Sequence, residues 1–460
     1  MESSGQNSVR KVGWLVAASL VFSNMVGSGI FTTSGYLLAN LRSPWLLLAV
    51  WVLGGGLALA GTLSYAELGA ALPHSGGDYV YLRKAYGPGW AFMSGWMAFF
   101  AGMGAPIALA SFTFVEYLGR LFPALSIQNR EPFFELWRLT LTTSPGHLTA
   151  LGVVWLLTLV HFLGIRTGGK LQLTVTLVNI TLILSYILFG FFSGAGSWTH
   201  FTGNPAAPSI SVGFFPVIAV SLIWVMFSYS GFNGAAYVAG EIDRPGRSLP
   251  LALAVGTGTV TLLYLALNTV YVYARPVGEL AGRMDVAGVA AAGLFGPAVA
   301  DIFGVVISTC ALAACSAMIC LGPRIYEAMA ADGSFFASAA RRSRRFGTPA
   351  AALFIQALYV SLLIFIGSFE QLLTFCGFLL SLFSALTVSS LFVLRRRFPG
   401  LPRPFRVPGY PFTPGLFVAV SLWMMFYSFF SRPVESLIGA VIVAAGLPVY
   451  RLWKWKNRVG

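Results

Sequence analysis

Apolar runs long enough to cross a lipid bilayer recur from one end of the chain to the other. A transmembrane helix needs about 20 mostly apolar residues to cross roughly 30 Å of hydrocarbon. The helices predicted from these runs are residues 13–38, 44–71, 88–122, 148–165, 170–193, 214–240, 249–274, 298–330, 350–367, 370–394, 412–430 and 435–452. The pattern therefore predicts an all-α integral membrane protein with twelve transmembrane helices.

The composition supports lipid as the main solvent. Of the 460 residues, 57% are hydrophobic and only 10% are charged, and the mean hydropathy is +0.78. Such a chain has too much apolar surface to bury inside a water-soluble globule, and little length remains for a soluble domain. The polar stretch 1–12 is expected to be a short cytoplasmic tail, because no cleavable signal follows it.

The net charge of +14 could indicate nucleic-acid binding, but the distribution of the charges favours the positive-inside rule of membrane proteins. With the N-terminus in the cytoplasm, 22 of the 29 lysines and arginines fall in loops on that side. The other seven are Arg42, Arg120, Arg130, Arg138, Arg275, Arg283 and Arg432. We therefore expect an integral plasma membrane protein, in a bacterium the inner membrane, with both termini cytoplasmic.

Two predicted helices carry glycine clusters at mid-membrane depth. The first contains Gly27-Ser28-Gly29 and the sixth contains Ser230-Gly231 followed by Gly234. Glycine weakens a helix interior, and the N–H and C=O groups freed by a break cannot stay unsatisfied in hydrocarbon. Close helix packing is the alternative interpretation for either cluster alone. The clusters fall at corresponding positions if helices one to five and six to ten are two inverted halves, and on that basis we interpret them together as discontinuous helices around a substrate site.

Such a pair of breaks suits a zwitterion. Freed N–H groups and the positive helix end at 28–30 would bind a carboxylate, and freed carbonyls at both breaks would bind an ammonium group. Phe227 is placed to cover the site as a gate, with ordinary packing as the alternative. The predicted substrate-binding residues are Asn24, Met25, Gly27, Ser28, Gly29, Ile30, Phe227, Ser228, Ser230 and Gly231.

At these residues the chain resembles the amino acid/polyamine/organocation superfamily, nearest to bacterial relatives of the L-type amino acid transporters. The resemblance rests on four pieces that span most of the chain. They are Gly27-Ser28-Gly29-Ile30-Phe31, Ser64-Tyr65-Ala66-Glu67-Leu68 with Ser75-Gly76-Gly77-Asp78-Tyr79, Tyr229-Ser230-Gly231-Phe232-Asn233 with Gly240-Glu241, and Ala330-Ala331-Asp332-Gly333.

The resemblance implies a LeuT-like transport core over 13–394, built from inverted five-helix repeats at about 13–193 and 214–394. Residues 395–460 would add helices eleven and twelve and a cytoplasmic tail. The implied activity is secondary transport of amino acids by alternating access. The implied carboxylate contacts are the backbone at Ser28, Gly29 and Ile30.

One position departs from that family. Many relatives carry a lysine in helix five where this chain has Asn179, which is neutral and cannot titrate. With Ser308 and Thr309 of helix eight it could line a small cation or water site, although hydrogen bonding between helices is the alternative. Lysine-based proton coupling is therefore in doubt.

Several other features limit the function. Glu67 and Glu241 lie near the cytoplasmic ends of helices two and six, and either could pair with basic residues in an inner gate or simply be solvated. The connection 123–147 contains no cysteine, so no disulfide-linked heavy chain is expected. Enzyme motifs, a metal site and a cofactor motif are not found in the sequence.

We therefore predict a transporter of amino acids, most simply neutral L-amino acids. A cationic amino acid or polyamine carrier is the first alternative, and a channel or membrane receptor on the same scaffold is the second. The amino acid transported, the coupling ion and the oligomeric state are not readable from the sequence.

Overall fold

The computed structural model describes residues 12–74, 76–127, 131–136, 139–163, 168–202, 213–331, 335–343 and 345–459. The α-helices are α1 Trp14–Met25, α2 Gly29–Leu41, α3 Pro44–Ala71, α4 Asp78–Tyr86, α5 Pro88–Met97, α6 Ala105–Leu118, α7 Pro145–Phe162, α8 Gly168–Phe192, α9 Phe214–Ser228, α10 Pro245–Ala274, α11 Val277–Leu280, α12 Val286–Phe295, α13 Pro297–Ala331, α14 Ala350–Ile366, α15 Phe369–Arg397, α16 Phe412–Ser431 and α17 Pro433–Val459.

These helices form a membrane protein. In the part of the chain that is described, eight helices are long and apolar enough to cross a bilayer, and the bent pair α1 and α2 makes a ninth span. Shorter apolar helices add to these, among them α9 and α14. The predicted helical membrane protein is confirmed at this level, whereas the count of twelve spans stays a prediction.

Local sequence signals set where several helices begin. The side chains of Ser43 and Ser144 accept a hydrogen bond from a first-turn amide of α3 and α7, and each is followed by a proline, Pro44 or Pro145. Ser368 forms a reciprocal capping box at the start of α15. These residues satisfy amides that the helix leaves unpaired, and proline fits the first helical position because it has no N–H to lose.

The third predicted span is continuous but contains a wider turn. A π-helix at Ala98–Gly104 joins α5 to α6. Its altered hydrogen-bond pattern is met from neighbouring helices: the Tyr359 hydroxyl donates to the Phe100 carbonyl at 3.2 Å and the Cys376 thiol donates to the Ala101 carbonyl at 3.0 Å. The turn is therefore stabilised by tertiary contacts.

Several connections contain structure that the sequence did not predict. Helix α4 lies between two predicted spans, and strands β1 Glu131–Leu136 and β2 Leu139–Thr143 form a small antiparallel hairpin. The hairpin lies within 123–147, which has no long apolar run. The connection after α10 contains the short helices α11 and α12. Strands and helices this short give too few repeats for a periodicity to be recognised.

Helix packing brings the broken spans together. Helix α10 packs along both α3 and α1, and α9 packs against α2, α3 and α15. A second group of contacts joins α13 to α6. Consequently α1, α2, α9 and α10 surround the interrupted turns.

Candidate functional site

The first span is broken at the glycine cluster. Helix α1 ends at Met25, α2 begins at Gly29, and the two axes are bent by 44°. The Met25 carbonyl accepts from the Gly27 amide at 3.0 Å. Among the described residues, the backbone amides of Ser28, Gly29 and Ile30 donate to no backbone carbonyl. The start of α2 therefore presents free N–H donors, as a site for a carboxylate requires.

The sixth predicted helix is also interrupted at its glycine cluster. Helix α9 ends at Ser228, and a 3₁₀ helix follows only at Gly234–Glu241. Between them Gly231 has a φ of +94°, a conformation that side chains other than glycine rarely adopt. The break therefore depends on the glycine that the sequence analysis singled out.

The two breaks lie directly against each other. A Cβ atom added to Gly231 would lie 2.6 Å from the backbone carbonyl oxygen of Asn24. One added to Gly234 would lie 2.3 Å from the side-chain nitrogen Nδ2 of Asn24. A Cβ atom on Gly29 would lie 2.6 Å from the Ser228 hydroxyl oxygen. The structure therefore brings the predicted residues of helices one and six into one cluster.

A tyrosine that the sequence analysis missed joins the two breaks. The hydroxyl of Tyr264, in α10, lies 2.7 Å from the Met25 carbonyl oxygen and 3.2 Å from the Ser228 carbonyl oxygen. Its ring is fully buried and packs against Trp51 and Tyr229. One O–H donor thus serves the two carbonyls that the sequence assigned to an ammonium group. Only the register of α10 against both breaks reveals this role.

The remaining predicted residues differ in exposure. Phe227 is 7% exposed and packs in the core beside the break, and Ser228 donates to the Thr33 hydroxyl at 3.2 Å. Asn24 is exposed, whereas Gly27, Ser28 and Ser230 are partly exposed. The cluster is therefore accessible along the α1 side, while the gating role of Phe227 stays a prediction.

In the described part of the chain, no hydrogen bond joins Asn179 of predicted helix five to Ser308 or Thr309 of predicted helix eight. Asn179 is buried, and its side-chain oxygen has no hydrogen-bond partner among the described residues. Ser308 donates to the Phe114 carbonyl at 3.1 Å, and Thr309 donates to the Val305 carbonyl within its own helix. A cation or water site at these three residues stays a prediction.

Of the two carboxylates considered for an inner gate, Glu67 is the one that pairs. It is fully buried, accepts two hydrogen bonds from Arg395 at 2.8 and 2.6 Å, and accepts from the Val407 amide at 2.7 Å. Arg403 lies 3.6 Å from the same carboxylate. Glu241 is exposed, and its backbone carbonyl accepts from the Val12 amide at 2.8 Å.

A second carboxylate on the same side of the protein as Glu67, that of Asp78 in α4, joins three elements. It accepts from the hydroxyls of Tyr65 in α3 at 2.5 Å and Tyr237 in the 3₁₀ helix at 2.7 Å. Desolvation raises the pKa of Asp78, and these two hydrogen bonds oppose the rise. Asp78 therefore links the end of the sixth span to α3 and α4.

Comparison with known proteins agrees with this geometry. A family model described as "Amino acid permease" matches residues 12–449. The human cystine/glutamate transporter is 28% identical over 471 aligned positions, covering 99% of this chain and 89% of the relative. The serine/threonine exchanger SteT of Bacillus subtilis (strain 168) is 27% identical over 445 positions, covering 96% of each chain.

A third relative is the mouse Asc-type amino acid transporter 1, which is 27% identical over 459 positions covering 98% of this chain and 82% of the relative. The resemblance inferred from the glycine motifs is confirmed, and the family and these relatives are transporters rather than enzymes. The chain belongs to the amino acid permease family of integral membrane transporters.

Proposed function

We propose that this chain is a secondary transporter of neutral L-amino acids, acting as a permease or exchanger by alternating access. The observation that carries the proposal is the pairing of the two breaks, with free amides at 28–30 opposite carbonyls at Met25 and Ser228. A zwitterion needs donors for its carboxylate and acceptors for its ammonium group, and this cluster supplies both from the backbone.

Neutral substrates are supported by the charge pattern around the breaks. Residues 12–41 and 213–240 contain no Asp, Glu, Lys or Arg, although both stretches pass through the proposed site. A substrate with a charged side chain would lose hydration there without gaining a counter-charge from these helices. The name of the serine/threonine exchanger also favours neutral amino acids and exchange.

Alternating access fits the proposed arrangement of twelve spans in two inverted repeats, with both termini in the cytoplasm. Broken helices at corresponding positions of two repeats place a substrate site near the bilayer midplane. The excess of lysine and arginine on the terminal side supports the orientation, and in a bacterium the membrane would be the inner membrane.

Counterflow in proteoliposomes tests the proposal. Vesicles loaded with one unlabelled amino acid should accumulate the same labelled amino acid transiently, and a saturable response separates a carrier from a channel or a receptor. Each of the twenty amino acids and one polyamine, putrescine, should be tested as the internal species. Accumulation driven by arginine or putrescine but by no neutral amino acid would replace the neutral assignment with a cationic one.

A glycine pair tests the site within the same assay. A Cβ atom at Gly29 would meet the Ser228 hydroxyl and Cα atoms at 2.6 and 3.0 Å, whereas a Cβ atom at Gly56 of α3 meets nothing within 4 Å. Gly29→Ala should lower kcat/KM on the order of 100-fold, because it displaces the carboxylate-binding turn, and Gly56→Ala should leave it unchanged. Full activity of folded Gly29→Ala protein would reject the site.

A further inference from the structure

The segment Arg275–Gly296, which we call the lid, covers the end of α2. The lid follows the end of α10 that points away from the chain termini. It contains α11 and α12. The Gly282 amide donates to the Gly35 carbonyl at 2.8 Å. A Cβ atom at Gly35 would lie 1.9 Å from the Arg283 carbonyl oxygen, so the lid backbone approaches α2 more closely than any side chain allows.

One ion pair fastens the lid to the turn that follows α6. The Arg120 guanidinium lies 2.9 Å from a carboxylate oxygen of Asp285, and the two side chains are only 15% and 6% exposed. The other oxygen of Asp285 accepts from Arg283 at 3.0 Å. Asp301 of α13 lies 3.6 Å from Arg120. The guanidinium therefore binds two carboxylates from two different elements.

Glycines on both sides make room for this arginine. A Cβ atom at Gly288 in α12 would lie 2.8 Å from an Arg120 guanidinium nitrogen, and one at Gly304 in α13 would lie 3.2 Å from the Arg120 Cδ atom. The arginine thus occupies a slot between the lid and α13 that larger residues would fill.

The same region also holds the half-helix proposed to bind the substrate carboxylate. Tyr117 lies in the last turn of α6, three residues before Arg120. Its hydroxyl donates to the Phe31 carbonyl, next to Ile30. On the opposite side the Tyr186 hydroxyl of α8 donates to the Ala287 carbonyl of the lid. With the lid seated, α2 is therefore held between α6 and the lid.

We propose that the Arg120–Asp285 pair is the latch of this lid, formed when the site is closed to the lid side and broken each time it opens there. An ion pair suits this use, because hydration of both charges on opening offsets much of the Coulombic attraction lost. The latch is reversible, while the glycine slot makes it specific for one seated position. The link to a transport cycle rests on the proposed function; the lid opening itself does not.

Reactivity of a cysteine at a buried position of the lid itself measures the latch directly. Ala291 lies in α12 and is fully buried, so Ala291→Cys reports lid opening in detergent-purified protein through its rate of reaction with a maleimide. The background is the rate measured for protein without Ala291→Cys, in which only the four native cysteines can react. This background is subtracted. Asp285→Asn and Gly288→Ala should each raise this rate about tenfold, because each weakens the closed state.

Two control substitutions lie in the same lid. Glu279→Gln removes an exposed ion pair with Arg275, in which the side chains are 40% and 50% exposed. Gly278→Ala adds a Cβ atom that meets nothing within 4 Å. Both should leave the rate within about twofold of the Ala291→Cys parent, since exposed pairs contribute little. The Arg120→Gln and Asp285→Asn effects should also be non-additive, because each breaks the same pair.

The latch also predicts a sided change in transport. In oriented vesicles, Asp285→Asn should lower KM on the lid side and raise it on the side of the termini, because the open fraction sets the apparent affinity. Equal maleimide rates for Asp285→Asn and Glu279→Gln in folded protein would overturn the latch. If the rates differ but no amino acid is transported by the parent, the latch stands and the proposed transport function falls.

Discussion

Removing the hydroxyl of Tyr264 tests whether one side chain satisfies both helix breaks. Tyr264→Phe keeps the ring and its contacts with Trp51 and Tyr229, which have centroid separations of 5.3 and 5.2 Å. It deletes only the donor that lies 2.7 Å from the Met25 carbonyl and 3.2 Å from the Ser228 carbonyl. The substitution therefore isolates a hydrogen bond from packing.

The expected cost follows from what the carbonyls lose. A buried acceptor left without a partner costs about 1–3 kcal/mol. The Met25 carbonyl would keep the Gly27 amide, and one hydroxyl hydrogen cannot fully serve two acceptors, so the free energy of unfolding should fall by about 1–3 kcal/mol rather than twice that. A loss of about 1.4 kcal/mol carried into substrate binding would weaken affinity tenfold. Water entering the break would bring the cost toward the lower end.

Tyr271→Phe is the matched control. Tyr271 lies in the same helix and is also fully buried, but its hydroxyl has no hydrogen-bond partner among the described residues. Its removal should therefore change the free energy of unfolding by less than about 0.5 kcal/mol, or raise it. Thermal unfolding in detergent compares the two variants, and stabilisation by added amino acid reports binding, because a ligand that binds only folded protein raises Tm.

The reasoning is refuted if the two variants behave alike. Equal melting temperatures and equal ligand-induced shifts would show that the Tyr264 hydroxyl does not support the break carbonyls. A loss of stability with unchanged ligand shifts would restrict Tyr264 to a structural role, and the ammonium site would have to lie elsewhere.

Two further predictions concern Glu67 and Asp78, the carboxylates on the same side of the protein as the chain termini. Glu67→Gln should lower the free energy of unfolding by about 3–5 kcal/mol, because Arg395 and Arg403 would lose their buried counter-charge; Glu279→Gln, at an exposed pair, should change Tm little. For Asp78, the folded pKa is raised above the unfolded value of 3.8, so folded protein binds more protons than unfolded protein between the two values and stability falls as pH rises through that window. The difference in Tm between the parent and Asp78→Asn should therefore change as the pH rises from the unfolded value of 3.8 through the raised folded pKa, and parallel curves would contradict the assignment.

The sequence by itself determined the membrane class, the family and the positions of both helix breaks. These follow from local causes: apolar length fixes a span, and clustered glycines weaken a helix where they stand. Gly231, with its positive φ, and Gly29, against Ser228, occupy the expected turns. The short elements β1, β2, α4, α11 and α12 were missed, because a few residues carry too weak a periodic signal.

Only the tertiary structure decided which side chains meet. Glu67 pairs with Arg395, 328 positions away along the chain, and Tyr264 reaches Met25 across 239 positions. The Arg120–Asp285 pair likewise spans 165 positions. A hydrophobic run states that a helix crosses the membrane but leaves its rotation and depth against its neighbours open. Packing of the whole helix bundle sets both, and so decides which buried polar groups meet.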